Sequence, residues 1–517
     1  MKYPIGIQNF ESLREDGYVY VDKTERIYQL VNSGKYYFLS RPRRFGKSLL
    51  VSTLKAYFEG KRDLFEGLAI ANREREWKVY PVLHLDLNSG QYDSVEALEE
   101  KLIHNLKKWE NIWNTPSDTS QSISSRFENV IHAANKQSGQ KVVILVDEYD
   151  KPLLASIDNP ILQSSFRSVL KAFYGNLKSC DEYIRFALLT GVTKFSHVSI
   201  FSDLNNLNDI SSDSRYADIC GITAEEMHHC FPSGIQALAD KEGVAFEEMT
   251  ERLRQMYDGY HFSEDTSKDI YNPFSVLNAL GGQQLRNYWF STGTPSFLIK
   301  LLRQNNYPLQ KFSTGSVVVK TLTSKDSIDD EPLALFYQTG YLTIKGYDKE
   351  FGSYRLGFPN REVEESFLNF LLPRYVGGTE NRSSFFIENF VRDLREGDID
   401  GFMERMKSFF ADTPYELIKD LENHYQNVMF TICRLMGYYT VAEYHTSRGR
   451  IDMVVKASDY VYAFEFKFDK TAEDALRQID TKEYLLPFSA DGKHMIKIGV
   501  NFSKETHNID NYLWEKA

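Results

Sequence analysis

The chain has 517 residues, of which 42% are hydrophobic and 26% are charged, which is the mixture of an ordinary globular protein. Its length is enough for roughly three to four average domains. With 61 basic and 72 acidic residues, the net charge of −11 argues against a uniformly basic nucleic-acid coat protein, although a local basic groove is compatible with it. The four cysteines form no C-x-x-C pair, which excludes a zinc ribbon and argues against a disulfide framework.

The ends of the chain and its apolar runs bear on location. The first residues, MKYPIG, lack the apolar core of a secretory signal peptide. No apolar run approaches the ~18 residues that are needed to span a bilayer. The sequence therefore predicts a cytoplasmic protein without a membrane partner, and it leaves homo-oligomer formation open.

Short apolar runs in the N-terminal part have the character of buried strands. They alternate with longer segments of helical periodicity, an order typical of a parallel sheet with helices on both faces. The runs are Tyr36–Ser40, Val82–Leu87, Val142–Val146 and Phe186–Thr190. We therefore expect an α/β fold for this part of the chain.

The remaining chain divides into further units. Residues 218–302 have a mostly helical pattern, and residues 333–358 predict a helix followed by strands at 341–344 and 354–358, an order that suits a winged-helix-like unit. The polar stretches 323–332 and 377–384 are candidate domain boundaries. Behind them, helices lead into a series of predicted strands at Tyr439–Glu443, Ile451–Val455, Val461–Phe466 and His494–Asn501.

The segment RPRRFGKS at positions 41–48 follows the first apolar run and precedes an amphipathic helix pattern. In a P-loop, backbone amides surround the phosphates, a lysine reaches the β- and γ-phosphate oxygens, and Ser or Thr binds Mg²⁺. Gly46, Lys47 and Ser48 match the G-K-[ST] part of this motif, whereas Arg41 stands where the first glycine is usual. The segment therefore predicts a site for ATP and Mg²⁺.

Two carboxylates support the same interpretation. The apolar strand VVILV ends in Asp147 and Glu148. A carboxylate at this place can hold the metal through water, and the adjacent Glu can orient or deprotonate the attacking water. The arginines of the loop, Arg41, Arg43 and Arg44, are interpreted either as a phosphate clamp or as a solvated basic loop.

Several ordered blocks resemble the bacterial AAA-ATPase-like family. They are YVDKT at 20–24, RPRRFGKS at 41–48, VDEYD at 146–150, LTGVTKFS at 189–196, YDGYHF at 257–262 and YWFSTGTP at 288–295. The resemblance covers roughly residues 4–300, and a missing first glycine is usual in that family. It implies an ATP-binding AAA-type core followed by a helical lid.

The resemblance also implies roles for individual residues. Lys47 is the expected phosphate ligand, and Ser48 and Asp147 are the expected Mg²⁺ ligands. Thr190 or Thr193 would sense the γ-phosphate, with a strand-end turn as the alternative. The expected ATP contacts are Arg43, Arg44, Phe45, Gly46, Lys47, Ser48, Asp147 and Thr190. For His261, in the YDGYHF block, a nucleotide contact and a turn-capping role remain open.

A second charged pattern lies near the C-terminus. Asp452 is followed after twelve residues by Glu465-x-Lys467, and the residues between them allow two adjacent strands. Side chains two apart on a strand share a face, so Glu465 and Lys467 are expected to point the same way. Two carboxylates suit Mg²⁺ or Mn²⁺, and Lys467 can position the water that the metal activates. The alternative is a strand with a salt-bridged polar face.

This pattern resembles the PD-(D/E)XK nuclease superfamily, in the branch commonly fused behind the ATPase just described. GRID at 449–452 and EFK at 465–467 carry the resemblance, and ALRQI at 475–479 resembles the next helix of that branch. The resemblance covers about residues 385–510. Glu422 and Glu443 are candidates for further acidic positions. A fold that has lost catalysis and only binds DNA is an alternative.

Together these expectations describe an α/β protein with four parts. They are a P-loop AAA-type parallel sheet (1–217), a helical lid (218–322), a winged-helix-like unit (323–376) and a restriction-endonuclease-like α/β domain (385–517). The expected function is an ATPase coupled to metal-dependent phosphodiester cleavage, with DNA as the expected nucleic acid.

The expected catalytic residues are Glu148, Asp452, Glu465 and Lys467, and Asp452 and Glu465 are also the expected metal ligands of the nuclease. The expected cofactors are ATP and Mg²⁺, with Mn²⁺ as an alternative at the nuclease site. The alternative function is an ATP-dependent regulatory or scaffold protein whose C-terminal domain binds nucleic acid or protein without cleaving it.

Overall fold

A computed structural model of the chain describes most of its backbone. The described residues are 1–194, 206–264, 268–290, 298, 302, 307, 309, 312, 316–318, 332–376, 380–411, 421–436, 439–446, 449–457, 459–489 and 492–517. Side chains are described for these except 316–318, 374–376, 380–386, 421–423, 426, 433, 439–446 and 449–450. The chain forms two compact units, one of residues 1–297 with 316–362 and the other of residues 298–315 with 363–517.

The first unit is built on a parallel sheet of five strands in the order β2-β3-β4-β1-β5. The strands are β1 (Tyr36–Ser40), β2 (Val82–Asp86), β3 (Val142–Asp147), β4 (Ile184–Gly191) and β5 (Asn208–Asp209). The four strands predicted from apolar runs are therefore present, with β1, β3 and β4 buried inside the sheet and β2 at its edge. The prediction of an α/β fold is confirmed.

Helices precede strand β1 and connect β1 to β2, β2 to β3 and β3 to β4, as a parallel sheet requires. In chain order they are α1 (Phe10–Glu15), α2 (Thr24–Ser33), α3 (Lys47–Phe58), α4 (Val95–Ile112), α5 (Ile123–Ser138), α6 (Lys151–Ala155), α7 (Pro160–Tyr174) and α8 (Asn176–Ser179). Helix α3 starts directly at the end of the 41–46 loop. The carboxyl ends of β1, β3 and β4 therefore meet its N-terminus at one edge of the sheet.

A helical region follows, as the sequence pattern predicts. Its elements are β6 (Ile222–Thr223), α9 (Ala224–Cys230), α10 (Pro232–Glu242), α11 (Phe246–Tyr257), β7 (Ile270–Tyr271) and α12 (Pro273–Gly282). Strands β6 and β7 pair antiparallel. The helices bury their apolar faces in one cluster that includes Phe231, Leu253 and Val276.

The helix and two strands predicted at 333–358 are also present. They are α13 (Pro332–Gln338), β9 (Thr343–Asp348) and β10 (Ser353–Gly357), and β10 pairs antiparallel with both β9 and β8 (Ser316–Val318). The strand predicted at 341–344 begins two residues later. The reason is local, because the amides of Tyr341 and Leu342 both donate to the carbonyl of Phe336 and continue the end of the helix.

The second unit has its own five-stranded sheet, in the order β11-β12-β13-β14-β15. The strands are β11 (Tyr439–Thr446), β12 (Gly449–Lys456), β13 (Tyr460–Phe468), β14 (His494–Ser503) and β15 (Asn508–Lys516). Only the β13–β14 pair is parallel, and helix α18 (Ala472–Thr481) connects these two strands. The other helices are α14 (Arg361–Val376), α15 (Glu380–Glu396), α16 (Ile399–Ala411) and α17 (Leu421–Leu435).

Four of these strands were predicted, whereas β15 was not.

None of the helices in the described ranges combines the length and the apolar character that a membrane crossing requires. Of the two proposed boundary stretches, 323–332 lies almost entirely outside the described residues; in 377–384, residues 377–379 lie outside them and residues 380–384 begin helix α15. The division at 217, 322 and 385 stays a prediction.

Candidate active sites

The P-loop segment connects strand β1 to helix α3 and curves around the helix N-terminus. Gly46 caps the helix with a φ of +90°, a left-handed conformation that glycine adopts at little cost. The ammonium group of Lys47 is buried and donates to the carbonyls of Arg41, at 3.0 Å, and Pro42, at 3.2 Å. The side chain of Lys47 therefore folds back onto the loop that precedes it. Its charge lies where phosphate oxygens bind in a P-loop.

The acidic pair follows strand β3 at the same edge of the sheet. Asp147 is buried and accepts a hydrogen bond from the Thr190 hydroxyl at 2.5 Å. Glu148 has a φ of +57°, and its carboxylate lies 3.8 Å from the Lys47 ammonium group. The structure thus brings together the lysine, the two carboxylates and the threonine that the sequence analysis singled out.

The two candidate sensor threonines have different partners. The hydroxyl and the amide of Thr193 both donate to the carboxylate of Asp150, each at 2.7 Å. Asp150 is fully buried, and this burial raises its pKa. Thr193 therefore belongs to a strand-end turn around Asp150, whereas Thr190 is the threonine in contact with Asp147.

A cavity of about 290 Å³ opens beside the loop. Its polar side includes Arg43, Lys47, Ser48 and Glu148, and its apolar side includes Phe274. The N-terminal segment 4–8 and Leu277 also line it. A smaller cavity of about 90 Å³ shares Pro4, Gly46, Leu49, Pro273 and Leu277 with the first one. A polar cavity beside the loop and a smaller apolar cavity are therefore adjacent.

Arg41 fits neither interpretation proposed for it from the sequence. It is 1% exposed, and its guanidinium donates to the carbonyls of Ser40, Ser211 and Tyr216 at 2.8–3.0 Å. The group also lies 4.2 Å from the centre of the Phe262 ring. Arg41 is thus a buried structural residue, and not a phosphate clamp or a solvated loop residue.

The other loop residues are held by later parts of the same unit. The indole N–H of Trp289 donates to the carbonyl of Arg43 at 3.0 Å. The guanidinium of Arg44 lies over the Phe274 ring, 4.9 Å from its centre. The Phe45 side chain is fully buried against Tyr260, with ring centres 4.7 Å apart. Only the backbone of Phe45 is therefore available to a ligand.

His261 contacts neither cavity. Its Nδ1 lies 3.0 Å from the carbonyl of Ile344 in strand β9, and its Nε2 lies 2.8 Å from Asp269. Its amide donates to the hydroxyl of Thr343. The histidine thus joins the helical region to β9, which differs from both roles proposed from the sequence.

The second charged cluster lies where strands β12 and β13 pair. Asp452 accepts a hydrogen bond from the amide of Phe466 at 2.8 Å, which fixes its carboxylate beside β13. The ammonium group of Lys467 lies 2.8 Å from the carboxylate of Glu465, two residues earlier on the same strand. Asp452, Glu465 and Lys467 are therefore brought to one place, as the spacing predicts.

Helix α18 supports this cluster. The side-chain oxygen of Gln478 accepts from Lys467 at 2.8 Å, and its amide donates to the hydroxyl of Tyr484 at 3.3 Å. The lysine is thus held between a carboxylate and a fixed amide. The side chains of the other acidic candidates, Glu422 and Glu443, lie outside the described residues.

Glu465 is the buried carboxylate of the cluster. Its side chain is 2% exposed, and its Oε2 atom has no hydrogen-bond partner among the described residues. Burial, followed by the negative charge of Asp452, raises the pKa of Glu465 to about 7. A buried carboxylate oxygen without a donor, next to a second carboxylate, suits a divalent cation with oxygen ligands.

Comparisons with known proteins match two separate parts of the chain. Residues 4–201 match a family model described as predicted AAA-ATPase, and residues 420–512 match a model of the PD-(D/E)XK nuclease superfamily. The chain is 36% identical to "Uncharacterized protein in vnfD 5'region" of Azotobacter chroococcum mcd 1, over 99% of both chains. This chain belongs to the AAA-ATPase-like family. Its C-terminal part is a PD-(D/E)XK nuclease-like domain.

Two features of the AAA-ATPase-like site were missed by sequence reasoning. The segment 4–8 lines the cavity, and Trp289 holds the loop carbonyl of Arg43. The block YWFSTGTP did signal that Trp289 belongs to the family pattern, but nothing in its spacing indicated the P-loop as its partner. The short, irregular segment 4–8 has no periodicity that could have indicated a binding role.

We expect Trp289→Phe to weaken ATP binding by this AAA-ATPase-like protein. The substitution keeps an aromatic ring but removes the donor to the Arg43 carbonyl, a hydrogen bond worth about 1 kcal/mol. The dissociation constant for ATP, measured by titration calorimetry, should rise roughly fivefold. Trp113→Phe, in the same unit at the end of α4, is the matched control. Unchanged affinity in Trp289→Phe would show that this bond does not organise the loop.

We also expect the metal-free nuclease-like domain to lose stability as the pH rises from about 5 to 7. The folded pKa of Glu465 is about 7, above the unfolded value near 4.3, so the native state retains a proton that the unfolded state has lost. This contribution is complete below the unfolded pKa and is lost as the pH rises through the folded pKa. Urea unfolding in EDTA, measured at several pH values, should show a free energy of unfolding that falls between pH 5 and 7.

The matched variant for this measurement is Glu465→Gln, which is neutral at every pH. The pKa values of Asp258 and Glu362 are also raised to about 7 in the ATPase unit. The contribution of Glu465 is therefore read from the difference in free energy of unfolding between wild type and Glu465→Gln. That difference should change by at most about 1.4 kcal/mol per pH unit. Parallel pH profiles for the two proteins would contradict the raised pKa.

Proposed function

We propose that the protein binds and hydrolyses ATP with Mg²⁺ and cleaves phosphodiester bonds, with DNA as the substrate, at its C-terminal domain. Mg²⁺ or Mn²⁺ would serve the nuclease site. We place this activity in the cytoplasm, with self-association as a further property to test. The division at 1–217, 218–322, 323–376 and 385–517 is part of the same proposal.

The loop between β1 and α3 supports the ATP part of the proposal. Lys47 already keeps its ammonium group inside the loop, bound to two carbonyls that phosphate oxygens would replace. The adjacent apolar cavity, with Pro4, Pro273 and Leu277, suits an adenine ring. Arg43 and Arg44 line the polar cavity and are positioned to add positive charge around the phosphates.

The donor set fits a Mg²⁺ ion, because the Ser48 hydroxyl lines the cavity and the Asp147 carboxylate ends strand β3 at the same edge of the sheet, so both offer oxygen ligands. Ser48 and Asp147 would hold it, and it would neutralise charge on the phosphates. Glu148 is the residue that orients and deprotonates the attacking water. Thr190, through its hydrogen bond to Asp147, is the residue that responds to the γ-phosphate.

The cluster on β12 and β13 supports the nuclease part. The donor set fits Mg²⁺ or Mn²⁺, since Glu465 has a buried oxygen without a donor beside Asp452. These two residues would hold the ion, which lowers the pKa of a water ligand and offsets charge on the phosphate. Lys467, held by Gln478, positions the water and stabilises negative charge that develops on the phosphorus oxygens.

The observation that carries the proposal is the meeting of Asp452, Glu465 and Lys467 within one hydrogen-bonded group. The test is incubation of the purified chain with plasmid DNA and Mn²⁺ or Mg²⁺, with and without ATP. Nicking or linearisation that requires the divalent ion is the expected result. DNA retention at low salt without any cutting would instead indicate a binding protein that has lost catalysis, and would overturn the nuclease proposal.

A further inference from the structure

A group of three metal-binding side chains lies in the ATPase unit, away from both candidate sites. The carboxylate of Glu128, a ring nitrogen of His132 and the sulfur of Cys180 all lie within 4.8 Å of one another. Within the described part of the chain, this is the one group of three or more such side chains that converge in this way. It makes no contact with the cavities described above.

Two of the ligands come from one helix. Glu128 and His132 are four residues apart on α5, so their side chains lie on the same face, one above the other. Both side chains are partly accessible, which leaves that side of the group open to water. A helical pair with this spacing presents an oxygen and a nitrogen donor to one point.

The third ligand comes from a turn that is fixed independently. Cys180 follows helix α8, is fully buried, and donates its amide to the carbonyl of Asn176. The Asn176 side chain donates to the backbone and hydroxyl of Ser124 on α5, which joins the two elements. The next residue, Asp181, is bound by Lys35 and by the hydroxyl of Tyr36, at 2.7 Å each.

The histidine ring is also oriented. The ring of Tyr183 packs edge-on against His132, with centres 4.5 Å apart. A cysteine sulfur within 4.8 Å of a histidine nitrogen and a carboxylate oxygen, on anchored elements, has the chemistry of a metal ligand.

We propose that Glu128, His132 and Cys180 form a zinc site in the ATPase unit, with a water molecule as the fourth ligand. Thiolate, imidazole and carboxylate donors are the set that zinc prefers, whereas Mg²⁺ favours oxygen ligands alone. Bond lengths near 2.0–2.3 Å place the donors of a zinc centre roughly 3–4 Å apart, so small side-chain rotations close the site. The bound ion would fasten α5 to the turn that precedes strand β4.

Cobalt provides the direct test, because Co²⁺ bound by a thiolate gives a near-ultraviolet charge-transfer band. The full-length chain, stripped with EDTA, is titrated with Co²⁺ and then with Zn²⁺ as competitor. Wild type should develop the band with one equivalent of Co²⁺ and lose it to Zn²⁺. Oxygen-ligated metal at Asp452 and Glu465, or at Ser48 and Asp147, gives no such band, so the readout is specific.

Variants decide which residues bind. Cys180→Ser should abolish the band, and Cys230→Ser, which removes another thiol of the same unit, should leave it unchanged. Glu128→Gln and His132→Ala should weaken Co²⁺ binding by at least the roughly 10- to 100-fold that is typical of ligand-supporting residues. These two substitutions remain informative if Cys180→Ser does not fold. A wild-type protein without the band, or a band that forms in Glu128→Gln and His132→Ala with the wild-type Co²⁺ affinity, would overturn the proposal.

Discussion

Asp452→Asn should abolish cleavage of plasmid DNA while leaving ATP binding intact. The substitution keeps an acceptor for the amide of Phe466 but removes the negative charge of Asp452 beside Glu465. A carboxamide binds a divalent ion far more weakly than a carboxylate does, and the metal supplies several kcal/mol of stabilisation to the transition state. We expect the cleavage rate to fall by roughly 10³-fold, since each 1.36 kcal/mol is a factor of ten.

Glu473→Gln is the matched control for this measurement. It removes one carboxylate from an exposed position on α18 in the same domain, outside the charged cluster. The rate is measured from the disappearance of supercoiled plasmid under Mn²⁺, with ATP affinity measured on the same preparation. Mn²⁺-dependent cutting at the wild-type rate by purified Asp452→Asn would rule out this residue as a metal ligand.

The same substitution should also lower the pKa of Glu465. The charge of Asp452 is the second cause of the raised pKa, after burial, and Asn carries no charge. The loss of stability between pH 5 and 7 should therefore be smaller in metal-free Asp452→Asn than in wild type. This readout depends on electrostatics alone, so it reports on the cluster even if the domain does not cleave DNA.

Lys47→Ala should weaken ATP binding by roughly 10- to 150-fold. A charged hydrogen-bond donor contributes about 1.5–3 kcal/mol, and here the ammonium group is buried, so no water replaces it easily. The substitution also frees the carbonyls of Arg41 and Pro42, which lowers stability slightly, but it removes little apolar contact. Calorimetric titration with ATP and Mg²⁺ measures the effect.

Lys55→Ala on the same helix is the matched control, because it removes an equal charge at a position away from the P-loop. Lys55 lies on α3 two turns after Lys47 and forms an ion pair with Glu59 at its end. Pairs of this kind contribute about 0.3–0.5 kcal/mol, so this variant should bind ATP as wild type does. Equal affinities in Lys47→Ala and Lys55→Ala would show that the 41–48 segment is not the phosphate site.

The sequence was most informative where residue type and position within one strand together determine the structure. Strands β1, β3 and β4 are continuous apolar runs that fit only a buried sheet. The pair Glu465 and Lys467 was placed correctly because alternate residues of a strand always share a face.

Sequence reasoning failed where a contact joins distant segments. Two of the three carbonyl partners of Arg41 lie 170 and 175 residues away, at Ser211 and Tyr216, and nothing near Arg41 in the sequence indicates them. The bond from Trp289 to Arg43 spans 246 residues. Strand β15 was missed because it is an edge strand in which polar and apolar residues are mixed.

The burial of Arg41 has a consequence for protein engineering. A motif-guided change of this residue to glycine would bring the loop closer to the standard pattern, yet it would leave three backbone carbonyls without their donor and an empty volume beneath Phe262. An ordinary P-loop owes its shape to the freedom of its glycines. In this chain the buried guanidinium of Arg41 holds the loop in its shape instead. Glycine, the consensus residue at this position, would therefore destabilise the loop.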